Sequence, residues 1–197
     1  MDKVIISTLY SVEPVMVAVT KYGADKLILV LNKDADKTQE DSLQAIKSTF
    51  DKILEIKLVK IDPYDVVKIA AEVVKAIDFM SDKDSIVVNI TSGRKTMSLG
   101  LLYGAYARIS KVNKVLYISE EQQIIELPKL SFNLTQSQQK VLELVHSDKY
   151  KTVTEMAEKI DISTGMLYRN IKELQDLGLI EEKEGLKLTD AGKIARL

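Results

Sequence analysis

Five short apolar runs most constrain what this chain can fold into: Val4-Ile5-Ile6, Leu27–Leu31, Ile56–Ile61, Ile86-Val87-Val88 and Val115–Ile118. Stretches of helical periodicity separate them, at Glu13–Tyr22, Gln39–Leu54, Tyr64–Met80 and Lys95–Ile109. Near-continuous apolar strands alternating with helices specify a parallel sheet covered on both faces. Only about four residues separate Ile118 from Gln123–Leu127, too few for a crossover, so the last strand returns antiparallel as a hairpin. The third run carries Lys57 and Lys60, which suits an edge strand. Right-handed crossovers with a doubly wound order of 3-2-1-4-5 then set strands one and four side by side. The expected class is α/β, with a Rossmann-like domain over residues 1–127.

After Leu127 the pattern changes. Residues 128–133, Pro128-Lys129-Leu130-Ser131-Phe132-Asn133, read as a linker, and residues 134–197 read as helix, helix, helix, hairpin, helix. Thr135 with Gln138 and Thr152 with Glu155 each fit a capping box, and a third helix begins near Ser163. The core positions of this second domain are Val141, Leu142, Leu144 and Val145, then Met156, Ala157 and Ile160, then Leu167, Ile171 and Leu174. Gly178 suits the position just past the third helix, and a wing hairpin over Glu181–Leu188 turns at Glu184-Gly185. This resembles winged-helix regulators of the MarR and ArsR type.

Composition excludes several chemistries. With no cysteine there is no disulfide, thiolate metal site or cysteine nucleophile, and one histidine, His146, makes no metal cluster alone. A chain that is 46% hydrophobic and 29% charged buries a core and is not disordered. No apolar run approaches the ~20 residues of a membrane span and no signal-peptide pattern opens the chain, so a cytoplasmic protein with no membrane partner is expected. No G-x-G-x-x-G follows the first strand and no G-x-x-x-x-G-K-[ST] occurs, which argues against a dinucleotide cofactor and against nucleotide triphosphate hydrolysis.

The chemistry concentrates where the fourth strand meets its helix, at Asn89-Ile90-Thr91-Ser92-Gly93-Arg94-Lys95-Thr96. A small, hydroxyl-rich turn at a helix start is an anion site, because free N–H groups and the positive end of the helix dipole both favour negative charge. Arg94 and Lys95 stand against that dipole, a mismatch that an anion would relieve. In the doubly wound order this turn meets the loop Thr8-Leu9-Tyr10-Ser11-Val12, which also opens a helix. Ser11 can cap that helix, Pro14 is tolerated in its first turn, and Tyr10 offers a stacking ring and a hydroxyl. An anionic, aromatic ligand such as a nucleotide fits the pair of loops. Alternatively, Ser11 and Ser92 are simply helix caps. Gly100 and Gly104 sit at i, i+4 on the following helix, where each glycine costs up to ~1 kcal/mol relative to alanine, so something must approach closely. Either the helix packs on the sheet there or a second subunit does, and a two-fold dimer would pair two copies of the 91–96 loop.

In a winged helix the third helix enters the major groove of double-stranded DNA. Its outward residues are Ser163, Thr164, Met166, Tyr168, Arg169 and Lys172, with Lys187 on the wing. The domain is not basic: ten Lys/Arg stand against eleven Asp/Glu, among them Glu181, Glu182 and Glu184 on the wing. Phosphate neutralisation supplies most non-specific affinity, so an adaptor that binds protein instead is the competing expectation.

Together the two halves resemble the CRISPR-associated CARF–winged-helix transcriptional regulators of archaeal type. Asn89, Thr91, Gly93 and Lys95 match the Asn-x-Thr-x-Gly-x-Lys signature, with Ser92-Gly93 in place of the usual glycine pair, and Arg169 matches an arginine common in the recognition helices. The resemblance implies a homodimer formed through the CARF domains. It implies a cyclic oligoadenylate, typically cyclic tetra-adenylate, bound across the two-fold axis, with no other cofactor. It also implies control of transcription at CRISPR loci. Some CARF proteins cleave their cyclic ligand by attack of a ribose 2′-hydroxyl, with residues such as Lys95 and Ser11 stabilising the transition state. No general base is evident here, so no catalytic residue is assigned and an enzyme is not expected.

Overall fold

The computed structural model describes residues 1–130, 134–150, 152–183 and 185–195. Linker positions 131–133 and Glu184 of the wing turn lie outside the described residues. The chain divides into two units, Met1–Leu127 and Pro128–Leu197.

The first unit is built on six strands, β1 (Lys3–Thr8), β2 (Lys26–Asn32), β3 (Glu55–Ile61), β4 (Ser85–Asn89), β5 (Val112–Ile118) and β6 (Ile124–Leu127). They lie in the order β3-β2-β1-β4-β5-β6. All pairs are parallel except β5 with β6, where Val115 faces Leu127 and Ile118 faces Ile124. The expected order, the edge position of β3 and the closing hairpin are all present.

Because side chains alternate along a strand, each strand feeds two cores. Val4, Ile6, Ile28, Val30 and Val88 pack with α3 (Val66–Asp78) and α4 (Lys95–Ala107). Ile5, Leu27, Leu29, Leu31 and Val87 pack with α1 (Glu13–Tyr22) and α2 (Lys37–Phe50) on the other face. Two helices are shorter or shifted relative to the periodicity, for capping reasons. The Asp36 side chain accepts from the Gln39 N–H and starts α2 two residues early, and that of Asp65 accepts from the Lys68 N–H and starts α3 at Val66.

Gly100 and Gly104 face neither the sheet nor a free surface. A Cβ at Gly100 would stand 2.7 Å from the Ile69 side chain, and one at Gly104 would stand 2.7 Å from Val73 and 2.8 Å from the Ala70 carbonyl oxygen. They let α4 lie close against α3 of the same protomer. The glycines therefore give no support to a subunit interface, and the packing is helix on helix rather than helix on sheet.

In the second unit α5 (Gln136–Ser147), α6 (Val153–Ile160) and α7 (Thr164–Asp176) precede the wing strands β7 (Ile180–Glu182) and β8 (Leu186–Leu188) and α8 (Asp190–Ala195). Both capping boxes are formed reciprocally. The third helix ends in a Schellman motif: the Gly178 N–H, at φ +69°, donates to Gln175 and the Leu179 N–H to Leu174. Val141, Leu142, Met156, Ala157, Leu167, Ile171 and Leu174 are buried as the periodicity requires. Among the described residues no helix is long and apolar enough to cross a membrane.

Candidate functional site

The end of β4 is an assembly of hydroxyls and amides that ties four elements together. Asn89, fully buried, donates from Nδ2 to the Ser7 hydroxyl on β1 and to the Pro14 carbonyl on α1, both at 3.1 Å. Its Oδ1 accepts from the Thr91 hydroxyl at 2.6 Å and from the Thr91 N–H at 3.2 Å. The Thr91 hydroxyl oxygen in turn accepts from the Ile118 N–H of β5 at 2.8 Å. Asn89 and Thr91 thus build the site and hold its walls in register, and Thr91 also lines the cleft between them.

Ser92 does the same for the loop between β1 and α1. Its Oγ accepts from the Ser11 N–H at 3.0 Å and the Tyr10 N–H at 3.2 Å, and it shares a hydrogen bond with the Ser11 hydroxyl at 3.1 Å. Neither serine caps a helix, contrary to the expectation for Ser11. The residue preceding α1 is Val12 and the one preceding α4 is Arg94, and neither makes a side-chain cap. Ser92 is only 6% exposed. Its side chain is held against the Tyr10–Ser11 loop by these bonds. Gly93 follows at φ +88°, a left-handed conformation that glycine adopts without strain.

Removing the Ser92 hydroxyl would strand two N–H groups. Ser92→Ala is expected to lower the stability of this unit by about 1–3 kcal/mol, the cost of partly buried donors left without an acceptor. A shift of the urea midpoint with an unchanged m-value is the readout.

From the other side, α2 holds the same loop. The buried Gln39 side chain donates to the Leu9 carbonyl, and the Ser42 hydroxyl donates to the Tyr10 carbonyl at 2.9 Å. Leu9 itself is fully buried in the α1–α2 core, so its side chain cannot meet a ligand. Thr8 is likewise buried beneath Gly93, and Val12 is half-buried. Tyr10 and Ser11 are the exposed members of the loop.

Between these loops lies a cleft of about 290 Å³, lined by Tyr10, Ser11, Thr91, Ser92 and Gly93. The sequence reading missed its other wall, Glu13 and Pro14 at the start of α1 and Tyr117, Ser119, Glu120 and Gln122 on the β5–β6 turn. The signal was available: a hairpin that turns at the carboxyl end of the strand next to β4 must flank the same crevice. Gln122 donates to the Glu13 carboxylate across this wall.

The cations lie outside the cleft. Arg94 rests over the Tyr64 ring, 5.3 Å from its centre, and the Thr96 hydroxyl donates to the Pro63 carbonyl. Lys95 is exposed. The first turn of α4 holds no acidic residue and no side-chain cap, so the positive end of its dipole is unopposed. The cleft itself is walled by the carboxylates Glu13 and Glu120, and positive charge stands beside it at Arg94, Lys95 and the start of α4.

On the second unit, Ser163 caps α7 by accepting from the Met166 N–H at 3.2 Å. Thr164, Met166, Tyr168, Arg169 and Lys172 all project into solvent from α7, and Lys187 does so from β8. Arg169 lies 3.5 Å from Glu173 but stays 71% exposed. The wing's acidity is partly offset, since Lys183 pairs with Glu181 at 2.7 Å.

The Csa3 CRISPR-associated Rossmann-like domain profile matches residues 15–131. The chain belongs to the Csa3 family. A winged helix-turn-helix DNA-binding profile matches residues 134–181 of the same chain, so the whole fits a CARF–winged-helix regulator. No curated protein sequence matches. Among solved structures, the Csa3 chain is similar to Can2 from Sulfobacillus thermosulfidooxidans in complex with cyclic tetra-adenylate, at 14% identity and a TM-score of 0.53, covering 98% of this chain and 63% of Can2. It is similar also to Csm6 from Enterococcus italicus bound to cyclic hexa-2′-fluoro-hexa-dAMP, at 16% identity and a TM-score of 0.55, covering 87% of this chain and 55% of Csm6. The chain spans less than two thirds of either protein, and at such identities the likeness is one of fold.

Proposed function

We propose that this protein is a dimeric transcription regulator of a CRISPR locus. Its Csa3-type domains bind a cyclic oligoadenylate, cyclic tetra-adenylate foremost, and its winged helices bind promoter DNA. The observation that carries this reading is the turn Ser92–Lys95. It is braced by Asn89, Thr91 and Ser92, it leads into a helix start with no cap and no acid, and it opens beside a cleft whose rim carries Tyr10. Such a start attracts phosphate, and Tyr10 offers a base a ring to lie on.

A dimer supplies the symmetry that a cyclic ligand has. The outer face of α4 supports one: Leu99 and Tyr103, one turn apart, are 44% and 53% exposed. Ligand at the axis then controls the winged helices only in so far as it binds one arrangement of them better than another. In this reading the protein acts by binding and leaves the ring intact.

Gel shift and anisotropy on promoter DNA, with and without cyclic tetra-adenylate, test this. Replacing Arg169 and Lys172 together by alanine is expected to weaken DNA binding and reduce its salt slope by about 1 per lost phosphate contact, leaving ligand affinity unchanged. DNA affinity indifferent to that double change would favour the adaptor. Ligand that alters neither DNA affinity nor dimer geometry would sink the coupling, and linear products by mass spectrometry would make the protein an enzyme.

A further inference from the structure

The cleft is small for the ligand. Its 290 Å³ lies below the roughly 300–1,000 Å³ of sites for drug-sized molecules, and a cyclic tetranucleotide is larger than those. On a two-fold axis each copy holds half of the ring, and what its cleft does not enclose lies over the rim. One edge of the cleft is Gly93, which carries no side chain and is followed directly by Arg94.

Beyond that turn stand two groups the fold does not use. Tyr64 is 67% exposed, and the Arg94 guanidinium covers one face of its ring. The loop that presents Tyr64 is fixed in place. The Tyr64 N–H donates to Asp62 Oδ1 at 3.0 Å, and the Pro63 carbonyl accepts from Thr96 on α4. The Tyr64 N–H, and then Lys33, hold the Asp62 carboxyl below the usual carboxylate range. Asp62 is thus kept as the anion the loop needs, bonded to the Tyr64 N–H and to Lys33. Among the described residues Arg94 holds the tyrosine ring and no carboxylate. Beneath the turn, the fully buried Thr8 has its Oγ1 without a hydrogen-bond partner.

We propose that Tyr64 and Arg94 form an outer nucleotide subsite of the pocket. An adenine base lies on the free face of the Tyr64 ring, and the phosphate beside it takes the edge of the Arg94 guanidinium. A guanidinium stacked on an aromatic face keeps its in-plane donors free for exactly such a bidentate acceptor, which lysine could not match. The exposed ring gains from stacking on any base, so this subsite adds affinity and the inner cleft sets orientation. The subsite rests on the cyclic oligoadenylate reading above.

Calorimetry of cyclic tetra-adenylate against the full chain tests it, with Tyr64→Leu, Tyr64→Phe and Arg94→Ala as variants. Tyr64→Leu is expected to weaken binding about tenfold, and Tyr64→Phe to stay within about twofold, because stacking needs the ring and not the hydroxyl. Arg94→Ala is expected to weaken binding and flatten its salt dependence. Melting curves should be unchanged for the Tyr64 variants, whose side chain is exposed. Wild-type affinity in Tyr64→Leu, with tight binding by the parent, overturns the subsite alone. A parent protein that binds no cyclic oligoadenylate overturns the parent reading and the subsite with it.

Discussion

On the proposed reading of a dimer that binds cyclic tetra-adenylate, a chain carrying Leu99→Glu with Tyr103→Glu is expected to run as a monomer and to bind that ligand at least about a hundredfold more weakly than the parent. The reason lies in α4, which is apolar on all sides. Met97, Leu101 and Ala105 face the sheet, and Gly100 and Gly104 face α3. Leu99 and Tyr103 face solvent, with Leu102 and Tyr106 half-buried beside them. A helix apolar all round is a buried helix, and the protomer alone leaves this flank uncovered. In a two-fold interface each residue counts twice, so the double change places four carboxylates at the contact. Uncompensated buried charge is among the costliest changes an interface can undergo. Both residues are exposed in the protomer, so circular dichroism should still show a folded chain, its melting temperature lowered only by the lost association. Sedimentation gives the mass and calorimetry the affinity. A dimer that survives both changes would place the interface elsewhere, and a monomer with full ligand affinity would confine the site to one protomer.

Gly104→Val is expected to cost the first unit about 3 kcal/mol, a large part of the roughly 5–15 kcal/mol that holds a domain folded. Its Cβ would stand 2.8 Å from the Ala70 carbonyl oxygen, a backbone atom that can move only if α3 moves. Valine gains a few tenths of a kcal/mol in helix propensity over glycine, which the overlap far exceeds. Denaturant unfolding followed by circular dichroism measures it. Stability unchanged by the substitution would mean that α3 and α4 are not seated as close as described.

Much of the fold was legible in the chain because its signals are local. Runs of apolar residues named the strands, and the shortness of the 119–123 connection required the β5–β6 hairpin. Thr135 with Gln138, and Thr152 with Glu155, marked helix starts to the residue, since a capping box is closed within three positions. The family motif was legible too, and with it a turn that lines a cleft.

The roles within that motif were not. Ser11 and Ser92 carry the same local signal as Thr135 and Thr152, a small hydroxyl near a helix start, yet cap nothing. Their hydroxyls bond each other across 81 residues of sequence. Asn89 and Thr91 fasten β4 to β1, α1 and β5, a bracing role that no local signal announces. Gly100 and Gly104 announced a close neighbour, but only the tertiary structure named it as α3 rather than the sheet or a second subunit.

The sequence by itself determined the elements, their order in the sheet and the turn on which the chemistry converges. The tertiary structure decided which of that turn's side chains brace the walls and which face outward, and it added Glu13, Tyr117, Ser119, Glu120, Gln122 and Tyr64 to the site's surroundings. The physical reason is one of range. Backbone conformation and capping depend on neighbours three or four positions away, whereas a hydrogen-bond partner is whatever the packed fold brings within about 3 Å, however distant in sequence.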